Sequence, residues 1–395
     1  MNNCTAWVES EYIKFAVMAD QFLNKGKIVD AFYGETPPPR DENFSQSTEL
    51  LNPLKQLAAC TSNNLPDNPP FYFKSIFCGQ IEALKQHLET CLGSQSFWQT
   101  GERISGIALA SPDIEIWQHK LAGSLKKAGY SGDIADDLRE WRDLGNIDVF
   151  AFMDLVREGI SALWEQVRGT FLNNLITEEE IDLLEKRSQI KLAYQNNLWD
   201  DQPFYGGYRG NYLSMYCFNA RLLWNRFAVK TFMLYELLPG RHLFWLLRQR
   251  LNELQELPAM SLLSTCAGPE KLVQEGLIAC SPEFVMPGGF TDPQDQIAWD
   301  YQRLQNAVGY AATLKFWEQP ESVRETREFI RREACLSSGR TDALMKTIRE
   351  TPFYYPNIFA GYQFIKKLWL LYPDQFQQEF IRYRSPELLQ RLYPW

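Results

Sequence analysis

Residues 235–242 read Tyr-Glu-Leu-Leu-Pro-Gly-Arg-His. They lie within a longer stretch, Phe227 to Gln255, whose apolar residues recur with the period of an α-helix. A Pro-Gly pair inside such a pattern interrupts the hydrogen-bond ladder and re-aims the residues that follow it. The pattern therefore predicts one helix over 227–255, with Glu236 before the interruption and Arg241 and His242 after it.

Composition sets the limits on fold and partners. The chain has 395 residues, of which 45% are hydrophobic and 14% aromatic, so it can bury a large core. Its formal charge of -9 and its pI near 5.2 argue against sequence-independent binding of nucleic acid, which needs a basic surface. No run approaches 18 apolar residues, and Met1 to Trp7 lacks the pattern of a signal peptide. We therefore expect a cytoplasmic protein with neither a nucleic-acid nor a membrane partner.

Histidine and cysteine restrict the metal chemistry. The chain has only three histidines, His87, His119 and His242, so a two-histidine site would have to recruit a remote one. Its eight cysteines form no C-x-x-C pair. We expect these thiols to be free and mostly buried in a reducing compartment.

Most of the chain carries a helical pattern. Apolar residues recur at helical spacing from Val8 to Tyr33, and Thr177 with Glu180 forms a capping box for a helix that runs to about Asn196. A helix over Glu270 to Cys280 is expected to stop at Ser281-Pro282. Further helices are expected at 71–92, 114–128, 149–175, 294–317, 322–335, 341–350 and 357–371.

The sequence predicts extended structure in one region only. Residues 200–210 hold three glycines and a proline among aromatics, which predicts an ordered loop, and Tyr212 to Phe218 is the one expected strand. The fold class is mainly α with at most a small β element. We expect a single large helical domain over 1–395, with a division into 1–198 and 199–395 as the alternative.

The stretch 235–242 resembles the pattern H-E-x-x-P-G-H-H. That pattern marks a family of helical zinc-carboxypeptidase-like (gluzincin-like) proteins of unknown function. The glutamate, the Pro-Gly pair and the last histidine match, whereas Tyr235 and Arg241 stand where the pattern has its first two histidines. Four further elements resemble parts of the same family in the same order: Ile28–Gly34 (V-D-A-Y-Y-G-P), Tyr208–Gly210 with Asn219 (Y-x-G…N), Gln274–Ala279 (E-G-x-A) and Gly361–Gln363 (G-Y).

The resemblance implies a helical cleft and a set of site residues. Glu236 corresponds to the general base, and Tyr362 to a tyrosine placed over the site. His242 and Glu275 correspond to metal ligands, if a metal is retained. The expected substrate-binding residues are Arg241, Tyr208 and Arg209.

The two replaced ligands weaken a zinc site, because tyrosine is a rare zinc ligand and the guanidinium of arginine stays protonated. Two buried carboxylates, Glu236 and Glu275, would repel each other without a cation. We therefore hypothesise that Arg241 supplies the charge that a metal ion supplies in relatives, by pairing with one or both of them. No cofactor is expected, although zinc or another divalent metal stays open.

Three functions follow from this reading. The first is an atypical metallopeptidase-like protein that binds a peptide or an amino-acid-like ligand, as a pseudoenzyme or with repurposed chemistry. The second is an active metal-dependent hydrolase with the unusual ligand set Glu236, His242 and Glu275. The third is a non-catalytic helical interaction protein. The sequence leaves enzyme activity and oligomeric state open.

The last third of the chain is rich in basic residues. They would form a solvated face or hold the carboxylate of a substrate. The residues singled out are Arg331, Arg332, Arg340, Arg382 and Arg384.

Overall fold

The computed structural model describes residues 3–22, 29–33, 51–64, 73–91, 97–196, 203–318, 323–376, 378–379, 382 and 384–394. Within these ranges the protein is mainly helical, which confirms the predicted fold class. No helix in the described ranges is both long and apolar enough to cross a membrane.

The secondary structure consists of many helices and short strands. The helices are α1 (Asn3–Phe22), α2 (Leu51–Asn64), α3 (Phe73–Cys91), α4 (Phe97–Ser105), α5 (Ile114–Lys127), α6 (Ile134–Gly145), α7 (Val149–Thr170), α8 (Glu178–Arg187), α9 (Val229–Phe232), α10 (Arg241–Glu253), α11 (Pro269–Val285), α12 (Pro293–Glu318), α13 (Val323–Glu333), α14 (Ser338–Glu350), α15 (Tyr354–Leu371), α16 (Pro373–Phe376) and α17 (Pro386–Leu392). The strands are β1 (Val29–Phe32), β2 (Asn146–Ile147), β3 (Gln189–Gln195), β4 (Phe204–Tyr208), β5 (Leu213–Asn219), β6 (Trp224–Asn225) and β7 (Leu263–Thr265).

The chain forms two compact units. Unit 1 comprises residues 1–110, 248–276 and 356–395, and unit 2 comprises residues 111–247 and 277–355. Each unit is discontinuous in sequence.

Unit 1 is built around the helices α1, α2 and α3. Tyr12, Phe15, Leu54, Phe77 and Leu84 are buried together in its hydrophobic core. They recur at helical spacing on their helices, as an amphipathic pattern requires. Strand β1 pairs antiparallel with β7 and lies in the same unit.

Unit 2 contains a three-stranded sheet in the order β3-β5-β4, in which β3 runs parallel to β5 and β4 runs antiparallel to it. A cluster of aromatic rings packs against this sheet. The ring of Phe232 lies 5.3 Å from that of Phe204, 5.5 Å from Tyr216 and 5.5 Å from Phe218, measured between centroids. Aromatic burial of this kind fixes the sheet against α9.

Several sequence predictions are confirmed. Thr177 caps α8, since its hydroxyl accepts a hydrogen bond of 3.4 Å from the amide of Glu180. Asp113 caps α5 in the same way. The expected strand at 212–218 is observed as β5.

Other boundaries are wrong. The helix from Val8 ends at Phe22, and residues 29–32 form β1 rather than its last turns. The helix from Thr177 ends at Arg187, because the next seven residues pair with β5 as strand β3. Part of the expected loop at 200–210 is strand β4, while residues 200–202 lie outside the described ranges.

Helix α11 does not stop at Pro282 but continues to Val285. Proline cannot donate to the carbonyl four residues earlier, which leaves the oxygen of Ile278 without its helical partner. The hydroxyl of Ser281 donates to that oxygen at 2.7 Å. This local hydrogen bond compensates for the missing one, so the helix tolerates the proline.

Candidate functional site

The segment 229–253 is not one helix. Helix α9 passes into a π-helical turn, Met233–Leu237, and α10 begins only at Arg241. Between them Leu238 is extended (φ -130°, ψ 124°) and the Leu238–Pro239 peptide bond is cis. A Cβ atom at Gly240 would lie 2.6 Å from the carbonyl oxygen of Leu234, so only glycine fits this turn. The Pro-Gly pair thus re-aims the chain more strongly than the pattern predicted.

Glu236 and Arg241 face each other across this break. The Nε atom of Arg241 lies 3.3 Å from Oε2 of Glu236, and the two side chains are 16% and 13% exposed. The hydroxyl of Tyr216 donates to the backbone carbonyl of Glu236 at 2.7 Å, which fixes the π-turn against the sheet. Gly207 of β4 lies beside the Arg241 side chain, because a Cβ atom there would be 4.0 Å from its Cδ. The pair is therefore held in place and remains partly exposed to solvent.

His242 lies behind this pair and is fully buried. The hydroxyl of Ser188 and Nε2 share a hydrogen bond of 2.8 Å, and the hydroxyl of Ser214 and Nδ1 share one of 2.7 Å. A neutral imidazole donates at one nitrogen and accepts at the other, so the two serines satisfy both. Burial lowers the pKa of His242 to about 3, and the ring is neutral at physiological pH.

The other candidate residues of unit 2 differ in burial and in their contacts. Tyr208 is buried, its ring stacks on Trp245 at 6.4 Å, and its hydroxyl accepts a hydrogen bond from the amide of Tyr212. Arg209 is exposed, and no described contact joins it to Glu236. Tyr235 is buried, with the Arg241 guanidinium 5.8 Å from its ring centroid. Tyr208 and Tyr235 thus support the walls of the site.

Glu275 lies in unit 1, and its cation is Lys271. The ammonium nitrogen of Lys271 is 2.9 Å from Oε1 of Glu275, 2.9 Å from Oδ2 of Asp30 and 2.9 Å from Oγ of Ser264. Three acceptors match the three donors of an ammonium group. Lys271 and Glu275 are 6% and 3% exposed, so both charges are buried. Sequence reasoning missed Lys271, although its i,i+4 spacing from Glu275 is a recognisable ion-pair signal.

A contact between two glycines joins α11 to α15 in the same unit. A Cβ atom on Gly276 would lie 2.6 Å from the carbonyl carbon of Gly361, and one on Gly361 would lie 3.1 Å from the amide nitrogen of Gly276. Glu275 and Tyr362 each flank this contact in sequence. The Tyr362 hydroxyl accepts a hydrogen bond of 2.9 Å from Lys366 and is buried.

The family-like elements therefore come together in two groups. In unit 1, β1 supplies Asp30 to Lys271, and the E-G-x-A and G-Y elements meet at the glycine contact. In unit 2, the ring of Tyr208 lies 6.0 Å from that of His242, measured between centroids, and Glu236 pairs with Arg241.

The residues that would hold a metal ion do not fit one as they are placed. Glu236 is paired with Arg241, Glu275 is paired with Lys271, and both nitrogens of His242 are hydrogen-bonded to serines. Among the described residues no group of three or more His, Cys, Asp or Glu side chains is arranged to bind a metal.

The basic residues of the last third do not form one cluster. Arg332 pairs with the adjacent Glu333 at 2.7 Å. In unit 1, Arg382 and Arg384 both pair with the buried Glu379, at 3.0 and 2.9 Å. Arg331, in contrast, lines a surface groove of unit 2.

No protein-family model and no curated protein matches this sequence. Solved structures do resemble it. The crystal structure of a "putative lipoprotein" from Colwellia psychrerythraea aligns with a TM-score of 0.59 and 14% identity over 88% of this chain and 69% of that one. A "putative lipoprotein of unknown function" from Shewanella oneidensis aligns with a TM-score of 0.57 and 13% identity over 88% and 71%. At these identities the likeness shows a shared fold.

Proposed function

We propose that this protein binds a peptide or an amino-acid-like molecule without a metal ion, as a pseudoenzyme-like relative of metallopeptidases. The observation that carries the proposal is the Arg241–Glu236 pair at the helix break, with the two side chains 16% and 13% exposed. A fully buried pair would serve structure alone. This one keeps a guanidinium within reach of solvent, where it can bind a ligand carboxylate in a planar, two-hydrogen-bond geometry.

Glu236 has a second role in this proposal. Its carboxylate orients Arg241 before the ligand arrives, and it can accept a hydrogen bond from the amino group of an amino-acid-like ligand. A carboxylate beside a guanidinium thus complements the two charged groups of an amino acid. The neutral His242 behind the pair supports the geometry through Ser188 and Ser214.

The alternative of an active hydrolase with Glu236, His242 and Glu275 as metal ligands is less well supported. Each of these donors already has a partner inside the protein. Metal binding would have to displace one of the two serine hydroxyls and both side-chain cations. The displaced ammonium of Lys271 would then be buried beside a divalent cation, which Coulomb repulsion disfavours.

Two measurements test the proposal together. Elemental analysis of protein purified without chelator or nickel, before and after a zinc soak, is expected to find no stoichiometric metal. A thermal-shift screen of free amino acids and dipeptides, followed by calorimetry on the compound with the largest shift, measures ligand affinity. Arg241→Gln is expected to weaken that affinity roughly 10- to 100-fold, the range for loss of a hydrogen bond to a charged group.

The control variant is Arg139→Gln, which removes an exposed arginine that pairs with Asp136 at 2.8 Å on α6. It should bind the ligand as the wild type does. About one zinc ion per chain, or a screen in which no compound raises the melting temperature, contradicts the proposal. Equal affinity in the Arg241→Gln variant removes Arg241 from the ligand site.

A further inference from the structure

A groove runs along the surface of unit 2 between the antiparallel helices α13 and α14. Its two sections have volumes of about 540 and 450 Å³ and share Val323 and Arg327. The sections extend along α14 from Ser338 to Glu350, a length of about 18 Å at the helical rise. That length accommodates about five residues of an extended peptide.

Cations line both walls of the groove. On α13 they are Arg324, Arg327 and Arg331, whose spacing of three and four residues places them on one face of the helix. On α14 they are Lys346 and Arg349, three residues apart. The α13 wall thus presents a positive charge at nearly every helical turn, and the α14 wall presents two near its C-terminal end.

The groove differs in charge from the rest of the chain. Residues 323–350 contain seven basic and five acidic residues, a formal charge of +2, while the whole chain carries -9. Within the described part of the chain, Arg331 and Arg349 have no ion-pair partner. The groove is therefore a local positive region on an acidic protein, to which an acidic partner is attracted.

We infer that this groove binds an acidic peptide segment of a partner protein, in which glutamate or aspartate alternates with apolar residues. The side chains of Val323 and Met345 line the groove between the cations and would contact the apolar residues. The carboxylates would pair with Arg331 and Arg349. Three carboxylates of the chain also line the groove, those of Glu328, Asp342 and Glu350. A nucleic acid fits less well beside them, because it carries a negative charge at every nucleotide, whereas the alternating peptide carries one only at every second residue.

One of these carboxylates acts as an internal competitor. Asp342 on α14 pairs across the groove with Arg327 on α13 at 2.5 Å, and both side chains are about half exposed. An exposed pair of this kind contributes little to stability, so an incoming carboxylate can replace it. Asp342→Asn should therefore release Arg327 and tighten peptide binding a few-fold.

Fluorescence anisotropy tests this inference with a labelled hexapeptide of alternating glutamate and leucine, at an ionic strength of about 0.15 M. The double variant Arg331→Gln/Arg349→Gln is expected to bind roughly tenfold more weakly, since each exposed charge pair is worth up to about 1 kcal/mol. The matched control is Arg139→Gln/Arg157→Gln, which removes the same charge from the exposed pairs of α6 and α7. Its affinity for the peptide should lie within about twofold of that of the wild type, because salt screens surface charges that lie more than a Debye length from the groove.

Circular dichroism confirms that the variants are folded, and Asp342→Asn tests the inference by a gain of affinity rather than a loss. The inference is overturned if the hexapeptide does not bind, or if its glutamine analogue binds equally well. It is also overturned if both double variants have the same affinity. Equal or tighter binding of oligothymidine would replace the acidic peptide with nucleic acid as the occupant.

Discussion

His242 should lower the stability of the protein in mild acid if it is a structural, neutral imidazole. Burial lowers its pKa to about 3 in the folded protein, against about 6.5 in an unfolded chain. The unfolded state therefore binds the proton more readily than the folded state. The stabilisation of the folded protein that comes from the neutral His242 is present above about pH 6.5 and is lost as the pH falls towards 3. By linkage the loss between pH 7 and pH 5 amounts to about 2 kcal/mol.

The variant His242→Gln isolates this effect. It should be less stable than the wild type by about 1–3 kcal/mol at pH 7, because the serine hydroxyls lose partners. The difference in unfolding free energy between wild type and variant should shrink by about 2 kcal/mol at pH 5, because only the wild type loses the stabilisation by a neutral His242. Groups with a shift of the opposite sign, such as Glu270, whose pKa burial raises, are present in both proteins and cancel in the difference.

Urea unfolding followed by tryptophan fluorescence at pH 7, 6 and 5 measures the difference. His119→Gln is the control, since His119 is exposed on α5 and contacts only the carbonyl of Glu115 among the described residues. Its curve should run parallel to that of the wild type. A gap between wild type and His242→Gln that does not change with pH would refute the buried neutral imidazole. So would zinc that stabilises the wild type and not the variant.

Two further predictions concern unit 1 and use the same unfolding assay. Lys271→Met should lower the free energy of unfolding by roughly 3–5 kcal/mol, because it leaves Glu275 buried without its cation. The double variant Lys271→Met/Glu275→Gln should regain at least half of that loss. No recovery in the double variant would contradict the pairing. Gly361→Ala should cost about 1–3 kcal/mol, because the new methyl group meets the carbonyl of Leu272. The control Gly79→Ala, on α3 with open space around it, should instead stabilise by about 0.5–1 kcal/mol, and equal effects of the two would disprove the close contact.

The helices could be predicted from sequence wherever local chemistry marked their ends. Thr177 caps α8 as expected, and Asp113 caps α5 at the start of the expected helix, because a short polar side chain before an apolar pattern favours a helix N-terminus. The core face of α3 follows from its periodicity. These signals act within a few residues and need no knowledge of the rest of the chain.

Errors occurred where a partner remote in sequence decided the structure. Residues 189–195 continue a helical pattern, yet all seven pair with β5, which begins eighteen residues later. Strand propensity of this kind depends on the neighbouring strand rather than on the segment itself. The π-turn at 233–237 is likewise fixed from outside, by the hydrogen bond from Tyr216 to Glu236.

The sequence indicated candidate residues for the site, but it indicated only some of the side chains with which they pair. The pairing of Arg241 with Glu236 was expected from charge, and the structure has it. The serine partners of His242 could not be found, because Ser188 and Ser214 precede it by 54 and 28 residues and carry no motif. They nevertheless decide that the ring is structural in this arrangement.

Charge balance is the property that separates this chain from the metal-binding pattern it resembles. A divalent cation neutralises two carboxylates at once, and it binds well only when both are present. Here each carboxylate has its own monovalent cation: Arg241 for Glu236 within unit 2, and Lys271 for Glu275 within unit 1. Each of these two carboxylates is therefore neutralised within its own unit. In the proposed function, a ligand would exchange with the more exposed pair at Arg241, while the buried pair at Lys271 would stabilise unit 1.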